Sequence, residues 1–509
     1  MSTANICILI AIIAYLLLVV GIGIFYANRN KSISDFYLGG RKLGPFVTAM
    51  SAEASDMSSW LLMGLPGVAY ASGIADAAWT AIGLAAGTYI NWLIVARRLR
   101  KYSELSGNST TVPEFFSNRF RDKSHFLSVI AALVIIIFFI PYTASGFSAC
   151  GKLFNSLFDI DYHTAMIISA LVIILYTTIG GFLAASTSDF IQSIVMTVAL
   201  VIILVYGIGS AGGLDNVFEN AKSLPGYFDL THTFSEGEAA DYGPITIIST
   251  LAWGLGYFGM PHIILRFMAI EDDRKLKMSR RIASIWVVIS LGFAVFIGIM
   301  GNAMTANGTL ETLADPETII VQIAKIISSN GVLAALIAGV ILAGILAATM
   351  STSDSQLLAA SSSASKDIMT DFFKIKLSDI GAMVFARATV IVIAMIGVLI
   401  AWDPDSSVFE IVSFAWAGFG AAFGPVVLFA LFWRRSNKWG ALASMISGGA
   451  MVFIWKFLVR PLGGALNIYE LLPAFIVACI VFVAVSLATP EPEKEITDEF
   501  DTFRESCNS

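Results

Sequence analysis

Gly44-Pro-Phe-Val-Thr-Ala-Met-Ser-Ala-Glu-Ala-Ser-Asp-Met-Ser-Ser-Trp-Leu-Leu-Met-Gly-Leu-Pro-Gly67 is long enough to cross a bilayer, yet Glu53 and Asp56 stand at its middle. A carboxylate at bilayer centre costs roughly 2.5–3.5 kcal/mol even on an insertion scale, so such a residue is retained where something cationic meets it. The surrounding chain fits a membrane setting. Its 509 residues are 57% hydrophobic and 13% charged, with a mean hydropathy of +0.79, too apolar for a soluble enzyme of this length. The net charge of −6 says little about partners, because charge in a polytopic protein is sorted by membrane side. Nothing in the sequence points to nucleic acid.

A window of about 19 residues finds thirteen apolar spans, near 5–27, 45–72, 76–96, 126–149, 163–186, 189–211, 242–267, 280–303, 331–363, 381–402, 407–433, 438–459 and 468–488. Continuous runs of this length predict helices and exclude a barrel. The first lacks a charged leader and a small-residue cleavage site, and reads as a retained helix. Lys and Arg gather in the loops holding Arg29, Lys31, Arg41 and Lys42, then Arg97 to Lys123, then Arg274 to Arg281, then Arg434, Arg435 and Lys438. That side is expected to be cytoplasmic, with the N-terminus outside and the C-terminus inside. Residues 1–489 read as one transporter-like domain with its core near 44–433, and 490–509 as an acidic, solvated cytoplasmic tail. Cys7, Cys150, Cys479 and Cys507 have no ligand-type spacing and read as packing residues or, for Cys507, a free thiol.

The seventh span holds Trp253-Gly-Leu-Gly-Tyr-Phe-Gly-Met-Pro261, three glycines and a proline in the middle of a helix. A kink or close packing of small residues explains it when taken alone. It comes five spans after the Asp56 span, so spans 2–6 and 7–11 form two halves of odd number, inverted with respect to each other, each opening on an interrupted helix. Interruptions at matching places of inverted halves point to a midplane substrate and ion site. The ninth span adds Ala347-Ala-Thr-Met-Ser-Thr-Ser-Asp354-Ser-Gln. Ser351 and Thr352, with carbonyls freed by a broken helix, offer the low-charge oxygen set that a hard cation takes. An isolated hydroxyl would simply bond back along its own helix. Asp189 and Asp354 fall at one depth on the inner side and read as an ion exit route or second cation site, or, for Asp189, as a solvated cap. The four histidines are dispersed and make no transition-metal cluster.

These segments resemble the sodium/solute symporters, on the branch that carries proline. The resemblance rests on Phe36-Tyr-Leu-Gly-Gly-Arg41, Leu43-Gly-Pro-Phe46, Ala54-Ser-Asp-Met-Ser58, Trp60-Leu-Leu-Met-Gly-Leu-Pro-Gly67, Tyr142-Thr-Ala-Ser-Gly146, Gly180-Gly-Phe182, Trp253 to Gly259 with Pro261-His262, Met350-Ser-Thr352, and Ser413 to Pro425. It implies an all-α membrane protein of about thirteen helices with a leucine-transporter-type core of five plus five. It implies that sodium is held by the carbonyls of Ala54, Met57 and Ala348 and the hydroxyls of Ser351 and Thr352, with Asp56 and Ser58 required for coupling. It implies L-proline among Asp56, Ser59, Tyr142, Trp253, Tyr257 and Pro261, and a possible second sodium near Asp189, Asp354 and Ser355. Glu53 and Ser59 depart from the glycines that usually flank the motif. The expected activity is sodium-coupled import of L-proline across the plasma membrane, with no catalysis and no protein partner. Alternatives are another solute of the same family, such as another amino acid, a sugar, a carboxylate such as a vitamin acid, or a sugar acid such as a sialic acid, a channel, for which no continuous polar stripe is evident, and an enzyme or sensor, for which no catalytic constellation is evident.

Overall fold

The computed structural model describes residues 2–27, 38–375 and 378–508. Arg29, Lys31, Phe36 and Tyr37, used above for orientation and resemblance, lie outside the described residues. The helices in chain order are α1 (Thr3–Ala27), α2 (Pro45–Asp56), α3 (Leu65–Ser72), α4 (Ile74–Ile90), α5 (Ala96–Leu105), α6 (Val112–Arg119), α7 (Phe126–Phe158), α8 (Tyr162–Ser210), α9 (Leu214–Ser223), α10 (Pro244–Leu251), α11 (Pro261–Ala269), α12 (Leu276–Ala306), α13 (Ile319–Ser328), α14 (Val332–Ser362), α15 (Asp379–Ile400), α16 (Val408–Phe432), α17 (Lys438–Ile454), α18 (Leu471–Ala488) and α19 (Lys494–Asn508). One antiparallel hairpin, His232–Ser235 with Glu238–Asp241, lies between α9 and α10.

Among the described residues nine helical stretches are long and apolar enough to span a membrane, and the pair Pro244–Phe258 and Pro261–Ala269, bent by 43°, makes a tenth. Trp60–Ser72, Tyr162–Leu175 and Val384–Ile400 are shorter apolar helices. α8 covers two of the expected spans. Its division falls at Gly181, whose φ of 68° and ψ of −178° leave the helical region at little cost only for glycine.

α14 forms the buried axis of the molecule. Its residues from Ile341 to Ser362 are all buried, and it packs on α1, α2, α7 and α8. A small-residue seam permits this. A Cβ on Gly146 of α7 would meet the Thr349 methyl at 2.9 Å, and one on Gly344 would meet the Ala199 Cβ at 2.8 Å. Close approach of this kind drives helix association where no aqueous hydrophobic effect acts.

The tail is not a solvated extension. Residues 494–508 form α19, and Phe500 and Phe503, 2% and 0% exposed, insert beside Tyr102 of α5. Arg121 pairs with Glu499, Arg434 with Asp501 at 2.9 Å, and Arg97 donates to the Cys507 carbonyl at 3.3 Å. Acidic residues dominate the composition of this stretch, while the two phenylalanines one turn apart decide where it sits. Burying each contributes about 1.5–3 kcal/mol, enough to hold the acidic helix against the basic loops. At the opposite end, Lys152 bridges Asp315 and Glu317 at 2.9 and 2.8 Å. Glu317 in turn accepts the N–H groups of Val408 and Phe409 at the start of α16, a favourable place for an anion.

Candidate functional site

α2 starts with Pro45 in its first turn and ends at Asp56, where Met57 turns out of the helix with φ −75° and ψ 68°. The chain resumes in a wide π-type turn at Trp60–Gly64 before α3. Asp and Ser side chains compete for backbone groups and favour such a break. Three donors converge on the Asp56 carbonyl: the Ser58 N–H at 2.8 Å, the Trp60 indole at 3.1 Å and the Tyr142 hydroxyl at 3.1 Å. Every residue from Thr48 to Asp56 is buried.

α14 meets this break with its hydroxyls. Ser351 Oγ lies 2.7 Å from the Ala54 carbonyl and 3.1 Å from that of Ala348, and Thr352 Oγ1 lies 3.2 Å from Ala348. Ala54, Ala348, Ser351 and Thr352 thus face one another across the α2–α14 contact, and Met57 stands one turn beyond Ala54 where the helix opens. All the donor atoms are hard, uncharged oxygens, which suit sodium and no soft metal. No group of three or more His, Cys, Asp or Glu side chains suited to a metal is found among the described residues.

The α10–α11 break supplies the opposite wall. Ala252–Phe258 tightens to a 3₁₀ helix, Met260 is extended, and Pro261 opens α11 at a position where its missing N–H costs nothing. The Tyr257 hydroxyl donates to Asp56 Oδ2 at 2.6 Å. Trp253 stacks on Tyr469 at 5.1 Å, with Phe409 at 5.3 Å and Trp60 and Trp416 each at 6.2 Å. Its carbonyl accepts the Trp416 indole N–H at 2.8 Å. The glycines here serve close approach: a Cβ on Gly256 would stand 1.9 Å from Trp416 Nε1, and one on Gly254 2.3 Å from the Gly83 carbonyl. Both readings of this span therefore hold, small-residue packing and interruption together. A cavity of about 450 Å³ rests on Trp253, Phe409 and Tyr469 and extends to Asp76, Lys456 and Arg460. Asp56, Tyr142 and Tyr257 do not line it and are 0%, 1% and 1% exposed.

The remaining expected residues fall in two places. Ser58 Oγ accepts the Trp60 N–H at 3.4 Å, and Ser59 Oγ is buried without a partner. Asp189, Asp354 and Ser355 do come together, beside Arg266, which no sequence motif singles out. Arg266 donates to Asp189 at 3.1 Å, to Ser355 Oγ at 2.6 Å, to Ser51 Oγ at 3.0 Å and to the His262 carbonyl at 2.8 Å. The Ser51 hydroxyl in turn donates to Asp189 Oδ2 at 2.7 Å. Arg266 thus places a fixed positive charge beside these acids. Arg266, 1% exposed, was visible as an ionisable residue inside an apolar run. Trp92, which donates to Glu53 Oε1 at 2.8 Å, carried no comparable signal.

The model of the sodium:solute symporter family matches residues 36–448. The osmoregulated proline transporter of Bacillus subtilis (strain 168) is 42% identical over 96% of both chains. The high-affinity proline transporter of the same strain is 42% identical over 96% of this chain and 99% of its own. Sodium/proline symporter 2 of Staphylococcus saprophyticus is 40% identical over 97% and 96%. Among solved structures, a Na⁺-coupled sialic acid symporter in a substrate-bound outward-open state superposes with a TM-score of 0.78 at 20% identity, covering 96% of this chain and 99% of that one. The nucleobase-cation symporter Mhp1 does so at 0.56 and 12%, covering 93% and 99%. These two likenesses establish the fold.

Proposed function

The chain belongs to the sodium:solute symporter family, and on that premise we propose that it imports L-proline with sodium across the plasma membrane by alternating access. The observation that carries this is the meeting of the Ser351 hydroxyl with the Ala54 carbonyl at the end of the broken α2. In this reading Ala54, Met57, Ala348, Ser351 and Thr352 hold one sodium ion. Binding of the ion orders the break, and through it Asp56 and Ser58, so that sodium raises proline affinity and proline raises sodium affinity by the same factor.

Proline lies in this reading between α2 and the α10–α11 break. Tyr142, Trp253, Tyr257 and Pro261 wall its apolar ring, Asp56 meets the ammonium, and Ser59 offers a buried hydroxyl nearby. The proline relatives support the imino acid. Support also comes from the cluster of aromatic rings around Trp253, with Tyr469 at 5.1 Å and Phe409 at 5.3 Å, which suits an apolar ring. Another solute of the same family is the second reading.

Thirteen crossings follow if the nine long helices and the bent pair are joined by α2 with 60–72, by Tyr162–Leu175 and by Val384–Ile400. Crossings 2–6 and 7–11 then form the inverted leucine-transporter-type halves, residues 1–489 are one transport domain, and the basic loops with α19 face the cytoplasm, leaving the N-terminus outside. Asp189, Asp354 and Ser355 admit a further sodium ion only if Arg266 moves aside.

Each sodium charge moved inward by 100 mV releases about 2.3 kcal/mol, roughly fifty-fold in concentration. Radiolabelled proline uptake into proteoliposomes tests the proposal. An inward sodium gradient is expected to drive accumulation, and Asp56→Ala and Ser351→Ala to abolish it. Uptake that persists without sodium, or in both variants, rejects it.

A further inference from the structure

We propose that Asn91 and Trp92, two consecutive residues outside both proposed ligand sets, are positioning residues that carry the coupling between sodium and proline. The inference rests on the proposed function, whose sodium site stands on the first helix break and whose proline wall stands on the second.

α4 lies backbone to backbone against the second break. A Cβ on Gly83 would stand 2.6 Å from the Leu251 carbonyl, and one on Gly87 2.3 Å from the Gly254 carbonyl. Directly after α4 the chain widens into a π-type turn, Asn91–Val95, a form that often marks functional positions in helices. Asn91 and Trp92 open this turn and are 0% and 3% exposed.

Each of the two meets one break. In a continuous α-helix the Tyr257 carbonyl would accept the N–H of residue 261. That residue is proline and has no N–H to give, and a buried carbonyl needs a partner. The Asn91 amide donates to the Tyr257 carbonyl at 3.0 Å, and so holds the residue whose hydroxyl reaches Asp56. The Trp92 indole donates to Glu53 Oε1 at 2.8 Å, while its ring packs edge-on against Phe267 of α11 at 4.4 Å. Glu53 stands in the last turn of α2. Its own carbonyl accepts the Met57 N–H at 2.8 Å, and the next residue, Ala54, meets Ser351.

One turn of the neighbouring crossing thus grips the end of α2 and the carbonyl left open at the second break. A sodium ion that draws Ala54 and Met57 into place moves Glu53 with them, and the Trp92–Asn91 turn passes that shift to Tyr257. Proline held against Tyr257 acts in the opposite direction by the same factor.

Binding of radiolabelled proline to the purified full-length protein, in potassium and in sodium, gives the factor by which sodium raises proline affinity. Trp92→Phe removes the indole donor and keeps a ring against Phe267. Asn91→Leu removes the amide donor and keeps the size. Each is expected to lower the factor about tenfold, the worth of one such hydrogen bond, with proline affinity in potassium unchanged. The bond between Tyr257 and Asp56 persists in both variants, so the factor falls without vanishing. Either variant carries the test if the other fails to fold. The inference is overturned if a folded variant keeps the wild-type factor, or if its affinity falls equally in potassium and in sodium, as loss of a merely structural contact would cause. Both of those results leave the symporter reading standing. If sodium leaves proline binding to wild type unchanged, the symporter reading falls and this inference with it.

Discussion

The core contains two acidic pairs, and they differ in how their charge is met. Asp189 pairs with Arg266, which is tied to Asp189, Ser51, Ser355 and the His262 carbonyl at once, and Asp354 accepts from Ser355 beside it at 3.2 Å. Glu53 and Asp56 have only the neutral donors Trp92 and Tyr257. A covalently tethered guanidinium fastens α11 to α2, α8 and α14 whatever ions are present. A pair without a tethered cation differs in that only neutral donors meet it, which is the arrangement the proposed ion-coupled site calls for.

The largest effect that would break this comparison is Arg266→Met. It leaves Asp189 buried and uncompensated, for which the expected cost is about 3–5 kcal/mol, read as a fall in the detergent unfolding midpoint. The double variant Arg266→Met with Asp189→Leu removes both charges and is expected to recover most of that loss. If the double variant is as unstable as the single, the guanidinium matters for packing and not for charge.

Asp56→Asn comes next, because it removes charge without removing size. The Tyr257 hydrogen bond survives in a weaker, uncharged form, so the fold should lose only about 1 kcal/mol. The sodium concentration for half-maximal uptake is expected to rise roughly a hundredfold, about 2.7 kcal/mol. If the same substitution destabilises the protein as much as Arg266→Met does, the two pairs are alike and the distinction fails.

The sequence displayed the two breaks because the local chemistry is local. Asp56 with Ser58 and Ser59, and the glycines before Pro261, disrupt a helix wherever they stand. It displayed the Ser351 and Thr352 hydroxyls for the same reason. The pairing of Trp92 with Glu53 and the arrival of Trp416 over Gly256 depend on how distant helices dock, and no local pattern encodes that. Arg266 lies between these cases: its charge was visible inside an apolar run, but its two-serine, two-aspartate setting needed four helices placed together. The docking of α19 escaped because its acids dominated the composition while Phe500 and Phe503 alone decided its position.

Tyr257→Phe sharpens the comparison at lower energy. It deletes the charged hydrogen bond to Asp56 and leaves the ring against Trp416. Such bonds contribute about 1.5–3 kcal/mol, so the half-maximal sodium concentration should change by roughly tenfold or more. If Asp56 is balanced by a mobile ion, the loss shows in sodium dependence and scarcely in thermal stability. A loss confined to stability would assign Tyr257 to the scaffold.

The smallest effect concerns charge that is paired at the surface, where α19 docks. Arg434 holds the Asp501 carboxyl below its ordinary value through their hydrogen bond. Burial lifts the Glu499 carboxyl above its own, against the pull of Arg121 and Arg119. The signs are opposite. Asp501 favours docking above its unfolded value of roughly 3.9, and that help is lost as pH falls through its lower folded value. Glu499 is penalised when ionised, so docking tightens as pH falls through its raised folded value and gains nothing further below its unfolded value of about 4.3. Docking of α19 is therefore expected to pass through a shallow optimum near pH 4, followed by hydrogen exchange or proteolytic cleavage within residues 494–508. Asp501→Asn should remove the acid limb and Glu499→Gln the neutral one. A protection profile that falls steadily from neutral to acid pH in wild type would mean that Arg121 and Arg119 outweigh burial at Glu499, and that α19 is held by its ion pairs and not by Phe500 and Phe503.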